Sequence, residues 1–298
     1  MYPIYTHNLN PAIFKIGFIQ PHWYAVMYIF GFITTYFIIS NNKDFIARGM
    51  TKDDAMDFLT YAFFGVILGG RLGYVLFYGW HSDPITGQLV NGYFQHPLEI
   101  IKIYKGGMAF HGGLIGSIIA SVIYAKRMKI PLLLMCDLVA LAGPLGLMFG
   151  RIGNFINGEL WGRLTDGSWG VIFAKTGGGD LPRHPTQIYE AFFEGLLLFT
   201  VLWLIYKTIK NLKPGTLASI FLIGYGIGRS IVEFYRIPDS QYGYFYGDWL
   251  TMGHLLSLPM ILGGIGLWLV LKFTYKPEAA SEEDTESTNK TAEEEAKA

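Results

Sequence analysis

PLLLMCDLVALAGPLGLMFGRIGNFINGELWGR, residues Pro131–Arg163, joins two unlike segments end to end. The first, Pro131–Phe149, is apolar apart from Asp137. It is long enough to cross a bilayer, which takes about 20 mostly apolar residues. The second, Gly150–Arg163, sets Arg151, Asn154, Asn157, Glu159, Trp161 and Arg163 among four glycines. Asparagine and glycine supply turns and donors, and glycine lets backbone approach a ligand closely. Arginine adds a planar fork that suits phosphate oxygens. Solvated loop charges account for part of this pattern, but poorly for so many polar groups between hydrophobic segments on both sides.

The composition points the same way. Of 298 residues, 51% are hydrophobic and 16% aromatic, and only 15% are charged, whereas soluble chains carry about 25% charged residues. The deficit indicates lipid surroundings. A formal net charge of zero gives no field that favours nucleic acid, and none is expected as a partner. Cys136 is the single cysteine, so no intrachain disulfide forms; its apolar neighbours predict a small buried side chain. The N-terminus lacks a basic region followed by an apolar core and a cleavage site, so no cleaved signal peptide is expected.

Seven stretches are long enough to span: Trp23–Ser40, Phe58–Tyr78, Gly107–Ala125, Pro131–Phe149, Gln187–Tyr206, Thr216–Ile231 and Met252–Leu271. The expected fold is an all-α integral membrane protein of seven transmembrane helices with a small periplasmic head. No repeat relates the halves, so an inverted-repeat transporter is not indicated. Lys43, Arg48 and Lys52, then Lys126, Arg127 and Lys129, then Lys207, Lys210 and Lys213 lie on alternate connections. With Lys272 and Lys276 they mark the cytoplasmic side and leave the N-terminus outside. Lys102, Lys105, Arg151, Arg163, Lys175, Arg183 and Arg236 then fall on the outer side, against that bias, which a specific anionic partner explains for some of them. Residues 1–276 form one membrane domain, its head near 150–185, and residues 277–298 an acidic disordered cytoplasmic tail. Met1–Pro21 is expected along the outer interface, and a short interfacial helix near Leu98–Tyr104. GSWGVIFAK, Gly167–Lys175, has strand composition and is a candidate hairpin.

Ionisable residues at membrane depth cost about 2.5–3.5 kcal/mol each on insertion scales, so each is a functional candidate. His111, in FHGGLIG, is the side chain best suited to exchange a proton near neutral pH. A histidine bonded to a neighbouring helix is the bland alternative. Arg151 and Arg229 end the fourth and sixth spans, and two guanidiniums converging there would hold a lipid phosphate. Glu233 shares a helix face with Arg229, as a packing ion pair or a site group; Arg236 is expected at the interface. His184, Gln187, Tyr189 and Glu190 occur in RHPTQIYE, and Gln187, Glu190 and Glu194 recur at helical spacing, giving the fifth span a polar stripe that must avoid lipid. Tyr24 either joins an aromatic belt or reaches the polar cavity. No metal-ligand spacing, GxxxxGK[ST] loop or GxSxG pattern occurs, so neither metal, nucleotide nor serine acyl chemistry is supported, and no cofactor is expected.

Taken together, PHWYAVMY, GGRLGYVLFY, GGMAFHGGLIG, GRIGNFINGELWGR, RHPTQIYE and GYGIGRSIVEFYR closely resemble bacterial prolipoprotein diacylglyceryl transferases over nearly the whole chain. GRIGNFINGELWGR resembles that family's signature. The resemblance implies an inner-membrane transferase that moves the sn-1,2-diacylglyceryl group of phosphatidylglycerol onto the lipobox cysteine of a preprolipoprotein, releasing glycerol phosphate. It implies no metal or cofactor. It ties Tyr24, His111, Arg151, Asn154, Glu159, Gly162, Tyr225, Arg229 and Glu233 to activity or lipid binding, and His184 joins them as a candidate binding residue. A monomer is expected. A phospholipid or anion transporter using the same arginines is the competing reading, distinguished by the absence of a covalent product.

Overall fold

The computed structural model describes residues 4–17, 20–82, 89–103, 106–238 and 243–274. Ten α-helical segments occur among them: α1 (Trp23–Ser40), α2 (Lys43–Ile46), α3 (Lys52–Tyr78), α4 (Gly92–Gln95), α5 (Phe110–Arg127), α6 (Leu132–Asn157), α7 (Thr186–Glu190), α8 (Leu198–Thr208), α9 (Thr216–Glu233) and α10 (Met252–Thr274). A π-helical segment, Ala191–Leu197, welds α7 and α8 into one rod.

Six of these helices are long and apolar enough to cross a membrane: α1, α3, α6, the α7–α8 rod, α9 and α10. The remaining predicted span is α5. It has the 18 residues of α1 but carries His111, Lys126 and Arg127 and is less apolar. The tail from 277 onward lies outside the described residues.

The long helices pack as antiparallel neighbours. Tyr24 of α1 lies against Gly153 of α6, and Gly31 against Gly146. On α3, Gly65, Gly69 and Gly73 recur every four residues and meet Gly112 and Gly116 of α5. Small residues at that spacing let two backbones touch, which replaces the hydrophobic driving force that lipid removes. A Cβ on Gly112 would stand 2.9 Å from the Cα of Gly73. At α3's start Thr51 and Asp54 cap each other's backbone N–H groups. The N-terminus of α9 has no cap of its own. Instead buried Asp137 reaches across from α6, its two oxygens accepting from Gly215 N at 2.7 Å and Ala218 N at 2.8 Å. Such caps contribute about 1 kcal/mol.

Two apolar clusters fill the end of the bundle opposite the Arg151 end. One joins Phe45, Phe58, Tyr124, Met135 and Leu138; the other joins Leu141, Leu198, Leu202, Tyr206 and Leu217. The Arg151 end instead carries a small head. There the strand β1 (Tyr5–Thr6) pairs in parallel with β4 (Val171–Ile172), while β2 (Trp80–Ser82) and β3 (Leu89–Asn91) form an antiparallel hairpin.

Several expectations change. Gly167–Lys175 is not a hairpin by itself, because its strand pairs with Tyr5–Thr6 and Val171 also bridges Arg183. Consequently the N-terminal segment is stitched into the head: His7 is buried, and its Nε2 lies 2.8 Å from the Phe155 carbonyl. Where a helix is expected near Leu98–Tyr104, the described residues hold a 3₁₀ turn, Pro97–Glu99; Tyr104 is outside them. Cys136 is exposed on the flank of α6, not buried.

Candidate functional site

The fourth span continues as helix through Asn157, so more than half of GRIGNFINGELWGR is helical. Gly153 packs against Tyr24, and two more turns carry Arg151 and Asn154 on from the apolar run. Gly158 then ends the helix in the left-handed conformation, φ 70°. Leu160 follows at φ 59°, a strained setting for a leucine within this turn.

Three arginines converge on Glu190, whose side chain is 0% exposed. Arg229 Nη1 donates to Glu190 Oε1 at 3.0 Å and Arg236 Nη1 to the same oxygen at 2.7 Å. Arg151 Nε stands 3.2 Å from Oε2, within ion-pair range but misaligned for a hydrogen bond, so Oε2 lacks a donor. Glu233 completes the group: its Oε2 lies 2.6 Å from Arg229 Nη2 and 3.4 Å from Arg236 Nε, and its Oε1 accepts from Thr251 Oγ1 at 2.7 Å. Within this contact group three cations meet two carboxylates. A further carboxyl, Glu194, is fully buried one turn beyond Glu190, and neither oxygen has a hydrogen-bond partner among the described residues. It sits in the π-helical segment, an irregularity frequent at functional sites.

Around this core the remaining candidates take different places. Asn154 Nδ2 donates to Glu159 Oε1 at 2.8 Å, and Asn157 Nδ2 to the same oxygen at 3.0 Å, while Gln187 Nε2 donates to the Glu159 carbonyl. Glu159 therefore orients the asparagines. Gly162 donates its N–H to the His184 carbonyl at 2.8 Å. A Cβ there would meet the Tyr235 and His184 carbonyls and Thr186, so this glycine supplies close backbone crossing. His184 is half-buried between Tyr189 and Tyr235, its Nδ1 3.1 Å from the Tyr189 hydroxyl. Burial holds its pKa below the ordinary histidine value, with Asp166 opposing more weakly. Tyr225 stacks on Phe221 one turn before Arg229. Tyr24 lies against Gly153, its hydroxyl 3.4 Å from that of Tyr28. His111 is exposed at the start of α5, on the α3–α5 pair, and is not a member of the Glu190 ion-pair group.

The structure thus brings Arg151, Arg229 and Glu233 together. His184 and Gly162 sit in the supporting backbone crossing, and His111 stands apart on another helix pair. Arg236, expected at the interface, turns inward onto Glu190. Glu190 itself was legible only as part of a stripe. The signal for Arg236 was its spacing: with Glu233 it continues the Arg229 face in RSIVEFYR.

Beside the site runs an open groove of about 1110 Å³ between α1 and α3. Ile29, Phe32, Ile33 and Phe37 line one wall, Met56, Leu59, Phe63 and Phe64 the other, with Tyr24, Tyr28 and Asn157 at the head end. Among the described residues no group of three or more metal-ligating side chains occurs.

The family model described as prolipoprotein diacylglyceryl transferase matches residues 11–270. A phosphatidylglycerol–prolipoprotein diacylglyceryl transferase of Pseudoalteromonas translucida is 46% identical over 272 residues, covering 90% of this chain and 96% of that protein. Proteins of the same name from Agrobacterium fabrum and Rickettsia bellii are 42% and 45% identical, covering 89% of this chain and 92% and 95% of their own lengths.

Proposed function

Because the chain belongs to the prolipoprotein diacylglyceryl transferase family, we propose that it moves the diacylglyceryl group of phosphatidylglycerol onto the lipobox cysteine thiol of a prolipoprotein. It is a transferase, and the relatives' names favour transfer over transport. The observation that carries the residue assignments is the convergence of Arg151, Arg229 and Arg236 on buried Glu190 beside an apolar groove.

In this reading the phosphodiester anion is held by the arginines. Arg151 is the primary ligand because its pairing to Glu190 is misaligned and its donors are available; Arg229 is held by two carboxylates and stabilises charge. Asn154, oriented by Glu159, and Tyr24 position the headgroup, and Tyr225 and Glu233 set Arg229. The acyl chains lie in the α1–α3 groove. The thiolate is the useful nucleophile, and a free thiol has a pKa of about 8.5. His111 accepts the thiol proton, sulfur bonds to the glyceryl carbon, and the carbon–oxygen bond breaks with its electron pair going to the phosphate oxygen. Glycerol phosphate leaves. The site therefore needs an anion clamp more than an acyl oxyanion hole.

The same reading places α5 as a seventh span, the head and the N-terminus outside a bacterial inner membrane, and a monomer as the working unit. Kinetics with phosphatidylglycerol and a lipobox peptide test it. Loss of a preorganised donor at developing charge costs about 10²–10³ in kcat, and Arg229→Ala is expected to lose at least that much. Arg151→Ala is expected to raise KM for the lipid as well. His111→Gln with unaltered turnover removes the proton-acceptor role; unaltered lipid affinity and rate in both arginine variants reject the clamp.

A further inference from the structure

Arg71 is a buried cation outside the Glu190 group, far along α3 from the helix's capped start and only 5% exposed. Among the described residues its hydrogen bonds go to main-chain carbonyls: Nε to Ile100 at 2.7 Å, Nη2 to Glu99 at 2.6 Å, and Nη1 to Gly106 at 2.7 Å and Gly107 at 2.9 Å. The guanidinium also lies 5.0 Å from the centre of the Tyr93 ring. A guanidinium has five N–H donors in a rigid fork, a shape suited to gathering carbonyls from two strands of chain at once.

Those carbonyls belong to residues 99 and 100 on one side and 106 and 107 on the other, and the second pair leads into α5. Gly106 and Gly107 turn the chain at φ 85° and 81°, Ala109 N bonds to the Gly70 carbonyl at 2.9 Å, and His111 is the second helical residue. One residue later Gly112 is pressed onto the backbone of α3. His111 is thus held from both sides, by glycine contact after it and by the arginine-held chain before it.

We propose that Arg71 is a positioning residue for the transfer reaction, fixing the chain that leads into α5 and the first turn of α5 so that the His111 imidazole is held where it receives the thiol proton. This rests on the reading of His111 given above. The full chain, purified in detergent, is assayed with phosphatidylglycerol and a lipobox peptide as Arg71→Lys, Arg71→Gln, His111→Gln and Arg71→Lys/His111→Gln, with melting measured on each. Lysine keeps the charge but not the fork. General-base contributions run about 10²–10⁴, so Arg71→Lys is expected to lose about tenfold or more in kcat, with KM for the lipid within about threefold. Because Arg71 acts through His111, the double variant is expected within about twofold of His111→Gln alone. A purely structural residue would instead lose folded protein in step with activity, and multiply its loss onto that of His111→Gln. Either result overturns the proposal, as do full kcat in Arg71→Lys, a change confined to KM, or failure of both Arg71 variants to fold. An unimpaired His111→Gln enzyme removes the proton-acceptor reading itself; an impaired one beside an unimpaired Arg71→Lys removes this inference alone.

Discussion

Glu190 sits where three guanidiniums would otherwise repel one another, and it is fully buried. Breaking a buried ion pair by removing one partner costs about 3–5 kcal/mol, because the other charge is left uncompensated. Glu190→Gln is therefore expected to lower unfolding stability by that order in a denaturant or thermal melt, and to abolish transfer. A variant as stable as the parent would show that the arginines do not depend on it. His184 offers a gentler test outside the spans. Its pKa is depressed in the folded state by burial, so between the folded value and the unfolded value of about 6.5 the unfolded chain binds more protons. Its contribution is present above pH 6.5 and is lost as pH falls through the folded value. His184→Gln should flatten the decline of melting temperature on acidification, and an unchanged slope would contradict the assignment. At this scale the sequence revealed which residue types gather, but not who pairs with whom. Arg151 and Arg229 were legible as span-end cations. The hub was not, because Glu190 reads like Gln187 and Glu194 until the rod it stands on is packed against α6 and α9.

Among the elements, α3 and α5 depend on backbone contact rather than side-chain packing. Gly112→Val would push its new side chain into Gly73 Cα and the Gly69 carbonyl. Overpacking of this kind costs about 1–3 kcal/mol, and here backbone must move as well. The variant is expected to melt lower by the upper end of that range and to lose activity with it, whereas Gly146→Ala, which meets nothing within 4 Å, should be neutral. Equal melting of the two would show that the helices are not in close register. Apolar length made the helices legible: Trp23–Ser40 is α1 as expected, and the rest differ at their ends. The ends went wrong where polar residues continue a helix against protein instead of leaving it, as at Arg151–Asn157. Head strands of two residues, paired with chain far away in sequence, carry too little local pattern to be seen.

Across the whole molecule the two ends have different physics. One end is held by apolar clusters, the other by charges, aromatic contacts and short strands around a groove that opens along α1 and α3. That polarity suits a reaction between a lipid, which supplies apolar chains and an anionic phosphate, and a peptide thiol. The most direct test is mass spectrometry of a lipobox peptide incubated with the purified chain and phosphatidylglycerol. The account predicts a peptide heavier by one thioether-linked diacylglyceryl group, with glycerol phosphate released in equal amount and both products lost in Arg229→Ala. An unmodified peptide beside redistributed phospholipid would contradict it.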